Sequence, residues 1–157
     1  MAFISIQASR TYQQINNAPP DVVFPLLCPV REKDWVEGWE YKMIFSKSGL
    51  IEKDCVFSTP HHGNEHTIWY VTEYERENYK IQFVRVTPNE EVVKIDIYLI
   101  DNENGTTTSN ITYQYTALND SKNLWIKEKL ESEFKENMIE WEDAINFYIK
   151  TGKKLMK

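Results

Sequence analysis

The sequence predicts an α+β fold: a curved antiparallel sheet around one long C-terminal helix, with two short helices after the first strand. Three observations carry this expectation. Between residues 39 and 117, apolar and polar residues alternate in short runs separated by turn signals, the pattern of antiparallel strands with one solvated face. Residues 120–152 contain no proline and repeat apolar side chains three or four apart, as a helix with one buried stripe does. Between these blocks and the N-terminal segment, prolines at 19, 20, 25 and 29 punctuate a short helical passage.

Taken in order, a first strand falls within residues 3–15 and ends at the turn signal NNAPP. DVVFPLL starts a short helix, with Asp21 suited to its positive end, and Pro29 ends or kinks it. VREKDWV forms a second helical piece closed by Gly38. WEYKMIF then places Trp39, Tyr41, Met43 and Phe45 on one side of a strand. DCVFST follows, with Cys55 and Phe57 sharing a face. HTIWYVTEY is apolar on both parities, so the pattern leaves the direction of Trp69 open. In the next strands Ile81 and Phe83 share one face, and Ile95, Ile97 and Leu99 share another. DNENGTT is a hairpin turn, and Ile111, Tyr113 and Tyr115 alternate with polar residues after it. The helical stripe runs Ile126, Leu130, Phe134, Met138, Trp141, Ile145 and Tyr148, opposite a charged face, and Gly152 stands just past its end. Only the sheet is large enough to cover a helix of that length.

With 157 residues, one domain covering 1–157 is expected, and it can bury a core without disulfides or metal. The net charge of −6 argues against a nucleic-acid partner, because phosphate binding needs clustered cations. The only basic cluster is Lys150, Lys153, Lys154 and Lys157, where cations complement a helix C-terminus. Cys28 and Cys55 lack metal-ligand spacing and read as small buried hydrophobes. MAFISIQASR has no signal-peptide pattern, and no apolar run reaches the length of a membrane span, so a cytoplasmic protein with reduced thiols is expected. Aromatic residues make up 13% of the chain, enough to suggest a thick core or a ring-lined cavity.

The order of elements, with NAPPDVVFPLL, KDWVEGWE, CVFST, TIWYVTEY, GTTT and a final helix ending IKTG, resembles the START/SRPBCC superfamily. That group includes birch-pollen-allergen-like, polyketide cyclase-like and heat-shock ATPase activator-like proteins. LLCPVREKDWVEGWEYKMIF is most similar to a bacterial subgroup without an assigned function. The resemblance covers nearly the whole chain. It implies a helix-grip fold with a pocket between sheet and long helix, and it leaves the activity open.

Strand parity then nominates Tyr41, Met43, Phe57, Phe83, Ile97 and Tyr113 for the concave wall, and the helix adds Met138, Trp141 and Ile145. Trp35 and Trp39, flanking the Gly38 turn, are candidates for the mouth, and Trp69 joins the set. Arg85 shares parity with Phe83. An inward guanidinium needs a partner, which is a ligand carboxylate, a neighbouring acid or water at the strand end. Asp96 has the opposite parity and is expected in solvent. His61, His62 and His66 cluster around Gly63 in a hairpin loop, with no clear fourth protein ligand for zinc. Neither a nucleophile motif nor a phosphate loop is present, and no cofactor is expected.

The leading expectation is therefore a binder of an apolar or aromatic small molecule, lipid-like or polyketide-like. The alternatives are a cyclase/aromatase-type enzyme, in which Tyr41, Tyr113 or Arg85 would assist, and a co-chaperone-like interaction domain. A homodimer is compatible with all three.

Overall fold

The computed structural model describes residues 2–157. Its seven strands are β1 (Gln7–Asn16), β2 (Lys42–Phe45), β3 (Val56–Pro60), β4 (His66–Glu75), β5 (Lys80–Thr87), β6 (Glu91–Asp101) and β7 (Thr107–Ala117). They form one antiparallel sheet in the order β1-β7-β6-β5-β4-β3-β2. The meander from β2 to β7 follows chain order, and β1 closes the far side by pairing with β7 from Gln7↔Thr116 to Asn16↔Thr107. Two register shifts, at Met43/Phe45 and Val71/Glu73, introduce bulges that bend the strands.

The bulge in β2 corrects one expectation. Phe45 does not stay with Met43 on the inner side: one extra residue rotates it outward, where it is exposed. β2 is also shorter than WEYKMIF suggested, starting only at Lys42.

After β1 the chain makes α1 (Pro20–Val23), which tightens into a 3₁₀ turn at Phe24–Leu27, and then α2 (Pro29–Trp35). Pro20 and Pro29 each occupy a first-turn position, where the missing N–H has no partner to lose. Pro25 lies inside the passage and coincides with the switch to 3₁₀ geometry, so Pro29 opens a helix instead of closing one. The Trp35 indole is fully buried and donates to Leu26 O at 2.9 Å, tying α2 to the turn before it.

The C-terminal helical region is divided, where one uninterrupted helix was expected. Helix α3 (Asp120–Glu128) meets α4 (Leu130–Thr151) at Lys129, whose φ of −122° departs from helical values. The bend keeps both Ile126 and Leu130 buried while α3 lies on β7 and α4 turns toward β1. Asn119 caps α3 by accepting from Lys122 N at 2.7 Å, and Gly152 ends α4 in the left-handed region at φ 71°.

Helix α4 also covers the exposed edge of β1. The Glu142 carboxylate accepts from Tyr12 Oη and Ile15 N, both at 2.7 Å. Asn146 accepts from Asn17 N and donates to Ile15 O. These side chains satisfy backbone groups that an edge strand otherwise leaves open. Phe134, Met138 and Ile145 point from α4 into the core, over Ile81, Phe83, Val93, Ile95 and Ile111 of the sheet. Cys28 and Cys55 are free and buried, and burial pushes the Cys55 thiol up. Among the described residues, no helix is long and apolar enough to cross a membrane.

Candidate functional site

A cavity of about 220 Å³ lies between the concave face of the sheet and α4, with α2 contributing to its wall. Strand register explains its composition. One row across the sheet pairs Phe57↔Trp69, Trp69↔Arg85, Arg85↔Val93 and Val93↔Tyr115, and the next pairs Val71↔Phe83, Phe83↔Ile95 and Ile95↔Tyr113. Every residue in both rows is odd-numbered, because cross-strand partners share a face and each strand alternates with period two. Phe57, Trp69, Phe83, Arg85, Ile95, Ile97, Tyr113 and Tyr115 thereby form the sheet wall. Phe134, Asn137, Met138 and Trp141 of α4 face them, and Glu32 of α2 and Trp39 complete the enclosure.

Rings dominate the surface and meet in both orientations. Phe57 and Trp69 stack with centroids 5.3 Å apart, while Phe83 presents its edge to Trp69 at 5.8 Å. Tyr113 meets Phe134 edge-on at 5.4 Å. Two indoles are fixed by hydrogen bonds away from the rings: Trp39 Nε1 donates to Pro29 O at 2.9 Å and Trp69 Nε1 to Thr59 Oγ1 at 3.0 Å. Such a wall offers faces and edges to a flat apolar guest at little conformational cost.

Two ionisable side chains interrupt it. The Arg85 guanidinium carbon lies 5.5 Å from the centre of the Trp69 ring and 6.0 Å from those of Tyr113 and Tyr115. Its Nη2 is 3.6 Å from Glu91 Oε2, too far for a hydrogen bond, and the other oxygen of Glu91 is held by Lys122 Nζ at 2.9 Å. Arg85 Nε is buried with no hydrogen-bond partner, alone in this among the buried side-chain nitrogen and oxygen atoms of the described residues.

Glu32 is 8% exposed. Burial alone pushes its carboxyl from the ordinary 4.5 up to about 8, with no hydrogen bond or nearby charge contributing. It is therefore mostly protonated at neutral pH. Burial also raises the Tyr113 phenol; Arg85 opposes that rise and Glu32 adds to it, so both side chains act on one hydroxyl. Tyr115 is raised as well, again mainly by burial.

Of the residues nominated from sequence, Trp39, Phe57, Trp69, Phe83, Arg85, Ile97, Tyr113, Met138 and Trp141 are brought together on the cavity wall. Four are placed elsewhere. Trp35 and Ile145 are fully buried in solid core, with Trp35 behind the wall at 5.0 Å from Trp141. Tyr41 and Met43 are half-buried near the β2 edge, and Tyr41 borders a separate surface depression with Lys33, Ser58 and His66.

Sequence reasoning did not select Glu32, Ile95, Tyr115, Phe134 or Asn137. Ile95 and Tyr115 share parity with Ile97 and Tyr113, and Phe134 was already on the helical stripe. Glu32 had a weaker signal: the buried residues of α2 are Pro29, Glu32 and Trp35, spaced by three, which puts the acid between two inward residues.

The histidines do not converge. His61 Nε2 lies 2.8 Å from Glu90 and its ring 4.1 Å from that of His62, and among the described residues no three His, Cys, Asp or Glu side chains form a metal-binding group. Asp96 accepts from Gln82 Nε2 at 2.6 Å, away from the cavity.

No family model matches the chain, and no curated protein matches it. Solved structures do. Norcoclaurine synthase from Thalictrum flavum, in complex with dopamine and hydroxybenzaldehyde, superposes with a TM-score of 0.67 at 10% identity, covering 95% of this chain and 90% of the other. Ara h 8.0201 gives 0.69 at 11% identity, covering 92% and 99%. An uncharacterised protein from Rhizobium leguminosarum gives 0.69 at 10% identity, covering 94% and 97%. Identities this low speak for the fold alone. The chain has the helix-grip fold of the START/SRPBCC superfamily.

Proposed function

We propose that the chain binds a small, flat aromatic molecule in the cavity between the sheet and α4. One observation carries this reading: eight of the fourteen residues lining a cavity of about 220 Å³ are aromatic. An apolar cavity of about 150 Å³ suffices for benzene, and drug-sized ligands need roughly 300–1,000 Å³. The space therefore suits one or two rings and is small for a long acyl chain, which narrows the lipid-like or polyketide-like expectation to compact ring systems. A domain acting only through protein contacts has no need of such a space. The norcoclaurine synthase structure holds dopamine and hydroxybenzaldehyde, both one-ring molecules, which supports ring-sized guests in this fold.

Titration of intrinsic tryptophan fluorescence with one- and two-ring aromatics tests the proposal, since Trp39, Trp69 and Trp141 line the space. Saturable quenching is expected, and Ile97→Phe, which fills the cavity, should abolish it without unfolding the protein. Absence of saturable binding across the panel, or undiminished binding by the filled variant, would reject the reading.

A second reading, acid–base chemistry on the bound molecule, is favoured by Glu32. Its carboxyl is pushed up to about 8, within the range useful to a general acid at neutral pH. The test is turnover of a bound ring compound that disappears in Glu32→Gln.

A further inference from the structure

We propose that the cavity selects an aromatic carboxylic acid, its carboxylate paired with Arg85 and a second ligand oxygen accepting a hydrogen bond from the Glu32 carboxyl. This rests on the small-aromatic reading above and adds the polar chemistry of the guest.

Arg85 has unused capacity. Its Nε has no partner, its approach to Glu91 is long, and Glu91 is engaged by Lys122. A buried unfilled donor is unfavourable, and a planar carboxylate is the acceptor that a guanidinium fork fits best. Charge points the same way. Glu91 lies outside the cavity lining and is held by Lys122, and Glu32 is predominantly uncharged while buried. Arg85 is thus the one charged side chain on the lining, in a ring-walled space where attraction for an anion is stronger than in water.

Glu32 supplies the second contact. It comes from α2 while Arg85 comes from β5, so the two polar groups belong to different walls. The other charged or titratable groups sharing the cavity are Tyr113 and Tyr115 of β7; α4 presents only Phe134, Asn137, Met138 and Trp141. With no ionic partner, a neutral Glu32 offers one O–H to an acceptor on the guest. An ammonium guest would instead require Glu32 to ionise and would share the space with the Arg85 charge, since both act on Tyr113.

The test is a binding series by calorimetry at neutral pH with naphthol, naphthoate, methoxynaphthoate and naphthylmethylamine. Naphthoate should bind about tenfold or more tightly than naphthol, and Arg85→Gln should reduce that preference to roughly threefold or less. Arg85→Lys should restore part of the preference, because charge returns without the fork. Methoxynaphthoate, whose ether oxygen only accepts, should gain about fivefold over naphthoate, and Glu32→Leu should remove that gain.

The wild-type ranking stands even if an Arg85 variant fails to fold. Equal binding of naphthol and naphthoate, or tightest binding of the amine, overturns the carboxylic-acid inference and leaves the small-aromatic reading intact. If none of the four binds, the carboxylic-acid inference falls, and the small-aromatic reading falls with it when one-ring aromatics also fail to quench tryptophan fluorescence.

Discussion

Replacing Glu32 by Gln should stabilise the protein at neutral and alkaline pH while leaving its stability in acid almost unchanged. The carboxyl is 8% exposed, and burial raises it from 4.5 to about 8. Between those values the native state holds a proton that the unfolded state has released, so stability falls as pH rises through the window. The full shift corresponds to about 5 kcal/mol, of which about 3 kcal/mol is expressed by pH 7. Glutamine has nearly the same shape and no proton to lose, so it escapes the penalty. The stability difference between Glu32→Gln and wild type should be small near pH 4, grow through neutrality and level off above about pH 8. Urea unfolding of both proteins from about pH 4 to about pH 9 measures this, and the subtraction cancels carboxylates common to the two. Parallel stability profiles would refute the reasoning: they would mean that the carboxyl is hydrated or ion-paired in the native protein, and that the cavity lacks the neutral donor proposed for it.

Other perturbations separate wall from core. Trp35→Ala should lose about 3–5 kcal/mol in the same assay, because the indole is fully buried and its hydrogen bond to Leu26 O disappears. Trp141→Ala should lose less, since one side of that indole faces open space, yet it should weaken ligand binding as followed through Trp39 and Trp69; equal losses for the two would make Trp141 ordinary core. Glu91→Ala should destabilise by about 3 kcal/mol, the low end for a broken buried pair, because Lys122 retains some solvent access; an unchanged urea midpoint would count against a structural Lys122–Glu91 pair. Asn119→Ala should lose about 1 kcal/mol through the α3 cap, and an unchanged midpoint would show that water replaces the cap fully.

The fold was legible wherever a strand buried only one face. Ile81 with Phe83, and Ile95 with Ile97 and Leu99, alternate against polar neighbours, and the structure keeps each set buried. The stripe from Ile126 to Ile145 was equally clear, although nothing in its spacing marked the bend at Lys129. Helical hydrogen bonds pass through that bend, from Lys129 N to Trp125 O and from Glu133 N to Lys129 O, so a sequence suited to an uninterrupted helix also suits a bent one. Phe45 failed for a different reason. Parity extrapolates only as far as the ladder is regular, and one inserted residue at Met43/Phe45 reverses everything after it.

At the candidate site, the ring wall was readable because cross-strand register converts parity into proximity: nominating Phe57, Phe83 and Tyr113 by face was enough to bring them together. Trp35 and Ile145 point from α2 and α4 toward the same interior but are covered on every side, and residue type does not distinguish a packed ring from one beside a void. Glu32 was the hardest to see. In VREKDWV it stands among Arg31, Lys33 and Asp34, and an acid in such a run ordinarily belongs to a solvated helix face. The register of α2 decides otherwise: Pro29 fixes the first turn and Trp35 must be buried, so the residue three before Trp35 is carried inward with it. The same packing that stabilises α2 therefore places an uncharged acid beside the rings. The buried carboxyl lowers stability at neutral pH, and the hydrogen bond proposed to the guest is the use the cavity offers for it.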